Sequence, residues 1–108
     1  MARESNVIRA CLEHARRRPR CVIRKRHGGA FGVAGDADLT GCCDGRHVEV
    51  ECKPPGWRPR SQKEADRHAL QLRRLDEWRA AGAVVGVVTS AAEFAVLLDL
   101  CGPGREQR

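Results

Sequence analysis

The chain has no tyrosine, and aromatic residues make up only 4% of it: Trp57, Trp78, Phe31 and Phe94. Burial must therefore rest on Val, Leu, Ile, Ala and Cys. No apolar run is long enough to span a bilayer, so no membrane partner is expected. Internal repeats are absent, and the one biased segment is the basic run Arg16-Arg17-Arg18-Pro19-Arg20. The six cysteines, Cys11, Cys21, Cys42, Cys43, Cys52 and Cys101, include no CxxC pair, and no secretory signal opens the chain. A reducing, cytoplasmic setting is expected, with the thiols acting as small core hydrophobes. Cys42 and Cys43 are adjacent, which is poor geometry for bridging each other. A zinc site of Cys42, Cys43, His47 and Cys52 is conceivable, but its spacing matches no standard finger.

What is present fits one small globular domain. The chain has 108 residues, of which 42% are apolar. The domain is expected over 1–101, with 102–108 as a frayed tail. The formal charge is +6. That balance suits a polyanionic partner, because Lys and Arg on a nucleic acid release its condensed counterions.

Periodicity predicts the elements. Val7, Ile8, Cys11, Leu12 and Ala15 give a helical stripe over Glu4 to Arg17, ended by Pro19. Cys21 to His27 reads as a strand. Gly28 to Gly35 holds four glycines and reads as a loop. After Pro54-Pro55-Gly56, Trp57 to Arg60 is a basic loop. Ser61 then caps a helix, with Glu64 completing a capping box and Gly82 closing it. Ala65, Ala69, Leu72, Leu75 and Trp78 supply its apolar face. Ala83 to Thr89 is a nearly continuous apolar run, the mark of a buried strand. Ser90 and Glu93 open a last helix to about Leu100. The expected fold is α/β, in the order α-β-β-β-α-β-α. A helix joining two strands after Lys53 implies a parallel pairing, hence a mixed sheet with flanking helices.

The segments Ala37 to Cys43 and Arg46 to Lys53 carry the chemistry. They flank Asp44-Gly45, a hairpin signal because both turn positions need φ > 0. With Cys43 opposite Arg46, Thr40 falls opposite Glu49, Asp38 opposite Glu51, and Asp36 opposite Lys53. The period of two then sorts the faces. Asp38, Thr40, Glu49, Glu51 and Lys53 share one; Leu39, Cys43, Val48, Val50 and Cys52 share the other, a core face. Opposed carboxylates repel, and a hard divalent cation such as Mg²⁺ between them relieves that. A metal-held water is easier to deprotonate, and Lys53 on the same face can stabilise a phosphate under attack. A solvated hairpin face fits the same pattern. The histidines His14, His27, His47 and His68 have no visible partners, although His27 borders the glycine-rich loop and can touch DNA.

Asp38 followed by Glu51-Cys52-Lys53 resembles the PD-(D/E)xK nuclease signature. The run Gly35-Asp36-Ala37-Asp38-Leu39, then Val50-Glu51-Cys52-Lys53-Pro54, then Ala80-Ala81-Gly82-Ala83 before an apolar strand is similar to a VRR-NUC domain. The likeness runs from Glu4 to about Leu100. It implies a single restriction-endonuclease-like domain, related to Holliday-junction resolvases, that cuts DNA with Mg²⁺ or Mn²⁺, in some cases at branched or junction structures, and acts as a homodimer. It also implies Asp38, Glu51 and the carbonyl of Cys52 as metal ligands, Lys53 as the catalytic lysine, Gln71 as the family's helical glutamine, and Glu4 as its first-helix glutamate. The charge of Glu4 alone would also suit a helix N-terminus, and Gln71 would also suit a solvent-facing position. Two departures stand out: Ala37 replaces the usual proline, and Trp57 to Arg67 is longer and more basic than the family's short link. Asp36 and Glu49 also lie on the acidic face. Arg24, Lys25, Arg26, His27, Trp57, Arg58 and Arg60, together with the Arg16–Arg20 run, are expected to flank the site as a DNA-binding surface. The alternative is a binding module, or a subunit of a larger machine, that keeps the fold without catalysis.

Overall fold

Seven elements follow one another in the expected order in a computed structural model that describes residues 3–28 and 32–102. They are α1 (Glu4–Arg16), β1 (Cys21–Lys25), β2 (Leu39–Cys43), β3 (Arg46–Cys52), α2 (Gln62–Ala80), β4 (Val84–Val88) and α3 (Ala91–Asp99). The tail beyond Gly102, and residues 29–31 of the glycine-rich loop, lie outside the described residues.

The strands form one sheet in the order β1-β2-β3-β4. β1, β2 and β3 are antiparallel neighbours, and β4 runs parallel to β3. The hairpin register is the expected one, with Cys43 opposite Arg46 and Thr40 opposite Glu49. Its cause is local. Asp44 and Gly45 both take positive φ, 50° and 83°, which matches the right-handed twist of the flanking strands. Formal pairing stops at Leu39, so Asp38 stands just outside β2.

Period-two alternation divides β3. Val48, Val50 and Cys52 point into a core shared with α1 and α3, where Val7, Ile8, Cys11, Phe94 and Leu98 pack. Glu49 and Glu51 point to the opposite face, toward α2. That second face has a smaller core of Ala37, Leu75, Ala83 and Val85, with Trp78 against it.

The apolar stripe expected on α2 is corrected here. Leu72 is 42% exposed and Ala69 is exposed. The inward stripe is instead Glu64, His68, Gln71, Leu75 and Trp78 at helical spacing, partly or fully buried. Only the C-terminal half of the helix covers the small core; the N-terminal half covers the polar end of β3. The capping boxes are also displaced by one residue. Ser61 and Ser90 accept from the amides of Glu64 and Glu93 as expected, but the glutamates accept from the amides of Arg60 and Thr89, one residue before each cap.

Cys42 is exposed while Cys43 and Cys52 are buried. Alternation puts Cys42 and His47 on one face and Cys43 and Cys52 on the other, so these four residues do not converge on a zinc ion. The thiols at 11, 43, 52 and 101 are core filler.

Candidate metal centre

Three elements bring carboxylates to one point. Glu4 opens α1, Asp38 precedes β2, and Glu51 lies near the end of β3. Each offers an oxygen, and the three oxygens lie within 4.8 Å of one another. It is the only such group of metal-ligating side chains among the described residues. Asp38 and Glu4 are half-buried; Glu51 is 1% exposed and Lys53 8%. The face is therefore not a solvated one.

Each carboxylate has a different tether. Asp38 Oδ2 accepts a hydrogen bond of 2.9 Å from the amide of Cys52. It thus closes the open end of the hairpin, a structural role beyond the repulsion expected from sequence. A ladder residue offers its N–H and C=O to the same side, so the carbonyl of Cys52 leaves β3 on the edge where Asp38 stands. Glu51 Oε2 lies 3.2 Å from the Lys53 ammonium, while Oε1 is buried with no donor.

The electrostatics follow from this crowding. Burial, then the neighbouring Asp38 carboxylate, push Glu51 up to about 7, and Lys53 offsets only part of that. Glu4 is raised for the same reasons, burial first and Asp38 second, although Lys53, Arg67 and Lys25 pull the other way. Three carboxylates facing one ammonium leave the centre short of positive charge. The three carboxylates, one with a buried oxygen that has no donor, could hold a cation. Oxygen-only donors suit a hard divalent ion, Mg²⁺ or Mn²⁺. The residues present therefore fit the metal that the resemblance implies.

Glu49 and Asp36 do not belong to this group. Glu49 is 0% exposed and accepts two bonds from Arg26, at 2.7 and 3.1 Å. Thr40 and His47 complete its shell. Asp36 lies 4.0 Å from Arg26.

Lys53 is held on two sides. Besides Glu51, its Nζ sits 4.3 Å above the centroid of the Trp57 ring, and Trp57 meets His68 edge-on at 4.9 Å. Glu4, Lys53, Trp57, Arg67, His68 and Gln71 line a polar cavity of about 150 Å³. Oε1 of Gln71 and Nδ1 of His68 are buried there without partners. Gln71 thus faces the site rather than solvent. Arg67 and His68 were missed as site residues, as was the placement of Glu64 on the cavity wall beyond its capping role. The signal lay in the spacing 64, 68, 71, 75, 78, obscured because its first three members are polar.

The expected DNA-binding residues divide. Arg24, Lys25 and His27 are exposed on or just after β1, and His27 shares a cavity of about 190 Å³ with Asp38. Arg58 and Arg60 are exposed in the loop after β3, whereas Trp57 is half-buried on Lys53. Arg26 is engaged by Glu49. In the basic run, Arg18 pairs with Asp99 and Arg20 with Asp44. Among the other histidines, His47 stacks on Trp78 at 4.6 Å and His14 meets Phe94 edge-on.

No protein-family model matches the chain, and no curated protein sequence matches it. The likeness to VRR-NUC domains thus rests on the motif and on the order of elements. No helix among the described residues is long and apolar enough to cross a membrane.

Proposed function

We propose that this protein is a metal-dependent nuclease that hydrolyses phosphodiester bonds in DNA. One observation carries the reading: Glu4, Asp38 and Glu51 converge around a buried, donorless oxygen with Lys53 beside it. Asp38, Glu51 and Glu4 would hold Mg²⁺ or Mn²⁺, joined by the carbonyl of Cys52. A cation there neutralises charge on the phosphate and makes a water easier to deprotonate.

The chain supplies the rest. Lys53 brings one positive charge to the face where phosphate charge builds up. Held between Glu51 and Trp57, its ammonium needs little reorganisation as that charge develops. The unpartnered oxygen of Gln71 can accept a hydrogen bond from a water in the cavity and so orient it. Lys25 and Arg67 act on Glu4 from the rim. They offset the repulsion that a carboxylate cluster exerts on DNA. A homodimer, with two such sites on one duplex or branched DNA, belongs to this reading, as does a reducing compartment such as the cytoplasm.

The test is a cleavage panel of duplex, single-strand, flap and four-way-junction DNA with Mg²⁺, Mn²⁺ or EDTA, run beside calorimetric titration of Mn²⁺. Cleavage is expected with metal and not with EDTA, and Mn²⁺ binding is expected to vanish in Asp38→Asn. No cleavage of any substrate together with no Mn²⁺ binding sinks the proposal.

A further inference from the structure

The two outer strands of the sheet are finished differently. β1 follows Pro19 and exposes Arg24 and Lys25, the proline and charges that keep an edge from pairing with another chain. β4 is Val84-Val85-Gly86-Val87-Val88, with no charge and no proline. Lys53 donates its amide to the carbonyl of Val88, so Val88, Gly86 and Val84 bond toward β3. Alternation turns the N–H and C=O groups of Val85 and Val87 outward. Among the described residues, no backbone group meets them there.

The surfaces on either side of that edge are apolar as well. Among the described residues six large hydrophobic side chains are exposed, and four of them, Leu72, Val87, Val96 and Leu100, surround it. On α2, Leu70 and Arg74 lie against Gly35, and Arg74 donates to the carbonyl of Ala34, so that flank faces the loop into β2. Ala65, Ala69 and Leu72, at helical spacing, lie on the opposite flank, over the outer side of β4. On α3, Asp99 reaches Arg18 just beyond α1, while Leu97 packs over Gly86. Val96 and Leu100 therefore turn away from α1, toward the same outer side. Charge singles out this region too. No Lys or Arg occurs from residue 80 to residue 104 of a chain with a net charge of +6. Arg79, on the α2 flank, is paired with Asp76.

We infer that β4 is the interface of a homodimer, pairing antiparallel with β4 of a second copy about a two-fold axis at Gly86. Val85 of each copy then stands opposite Val87 of the other, and these residues exchange the N–H and C=O groups that face outward. The two sheets become one continuous sheet. Ala65, Ala69 and Leu72 of the two α2 helices meet on one face, where the alanines allow close approach. Val96 and Leu100 of the two α3 helices meet on the other. The occupant is a second copy because the edge is self-complementary, and because two copies of a cationic chain meet here without facing unpaired cations. With β1 guarded, the pairing closes at two copies and does not propagate. The two β3 strands then run in opposite directions, so the metal centres sit at opposite ends of the joined sheet. The inference rests on the proposed function for the expectation of a homodimer, and on the surface alone for the interface.

Sedimentation velocity is run in EDTA without DNA, and hydrogen exchange is followed at the β4 amides. Wild type is expected to be a dimer at roughly 10 μM, with the Val85 and Val87 amides protected. Leu72→Glu/Val96→Glu puts carboxylates on both helix flanks, and Val87→Lys puts a charge on the strand. All three positions are exposed in the single chain, so these changes spare its core. Each variant is expected to raise the dimer dissociation constant at least about tenfold and to speed exchange at Val85 and Val87, with unchanged circular dichroism. Val22→Glu, also at an exposed valine but on β1, is expected to leave the dimer intact. A wild-type monomer at that concentration overturns the interface. So does a dimer that neither the flank variant nor Val87→Lys weakens, or that Val22→Glu weakens equally. Failure of wild type to hydrolyse either bis(p-nitrophenyl) phosphate or DNA with Mn²⁺ overturns the nuclease reading and leaves the interface standing.

Discussion

Glu49 and Glu51 sit two residues apart on the same face of β3, and both are fully buried, yet their surroundings are opposite. Glu49 is satisfied at every oxygen, by the fork of Arg26, by Thr40 and by His47. Burial alone would raise its pKa, but those hydrogen bonds outweigh burial and hold it below the usual carboxylate range. Glu51 has one ammonium on one oxygen, nothing on the other, and two further carboxylates beside it. A buried charge persists when it is paired and hydrogen-bonded. The fold completes one of these glutamates from within and leaves one oxygen of the other without a partner.

The sharpest way to break this contrast is at the chemistry. Lys53→Ala is expected to lower DNA cleavage by about 100-fold or more, the scale of losing one preorganised group from a transition state. Asp38→Asn is expected to be equally inactive for a different reason. A Mn²⁺ titration followed by thermal unfolding separates them: Lys53→Ala still gains stability from Mn²⁺, and Asp38→Asn does not. Appreciable cleavage by Lys53→Ala removes this lysine from the mechanism.

Next comes stability at the satisfied site. Arg26→Ala leaves the Glu49 carboxylate buried with only Thr40 and His47, and is expected to cost about 3 kcal/mol. Glu51→Gln, which removes a like charge from the other site, is expected to leave metal-free stability at neutral pH unchanged or higher. Denaturant titration of both variants checks the pair. Equal destabilisation by the two substitutions would falsify the distinction between the sites.

Acidity should separate them more gently. Glu51 holds its proton up to about 7, while the unfolded chain releases it near 4.5. Across that window the folded state carries the extra proton, so metal-free stability falls as pH rises from about 4.5 to about 7. Glu49 behaves oppositely: its contribution is present above the usual carboxylate pKa and is lost as pH falls through its depressed value. Mn²⁺ competes with the Glu51 proton and is expected to flatten the slope. So is Glu51→Gln. A slope unchanged in Glu51→Gln shows that another group sets it.

How far the sequence carried this picture depends on which rules were local. The Asp44-Gly45 turn fixed the β2–β3 register, and alternation then placed Glu49 and Glu51 on one face and Val48 and Val50 on the other. That much follows from turn chemistry and a period of two. Which acidic residue meets which cation does not. Arg26 reads as one more member of a basic surface until β1 pairs with β2 and its side chain reaches Glu49. Glu4 reads first as a helix-terminal charge until α1 packs across the sheet. On α2 the sequence places Leu75 and Trp78 inward correctly, but not Leu72 and Ala69. Leu72 faces out, and the polar Glu64, His68 and Gln71 face in, since that half of the helix covers a polar cavity rather than a core. Trp57 looked like a loop aromatic for DNA, and nothing in the sequence places its ring on Lys53.

That ring gives the smallest and most specific test. The Lys53 ammonium is nine-tenths buried and has Trp57 as its apolar-side neighbour, 4.3 Å from the ring centroid. A desolvated cation–π contact is worth up to about 2 kcal/mol. Trp57→Leu removes it, so the ammonium can leave the position it shares with Glu51. Cleavage is expected to fall by about tenfold, well short of the loss in Lys53→Ala. Because Trp57 acts here by positioning, the loss should fall on kcat with KM for DNA nearly unchanged. Trp57→Phe, which keeps a π face over the ammonium, is expected to recover most of the rate. If the ring served instead to bind DNA, Trp57→Leu would raise KM and leave the kcat of saturated enzyme alone. That outcome returns Trp57 to the nucleic-acid surface and leaves Glu51 as the sole anchor of Lys53.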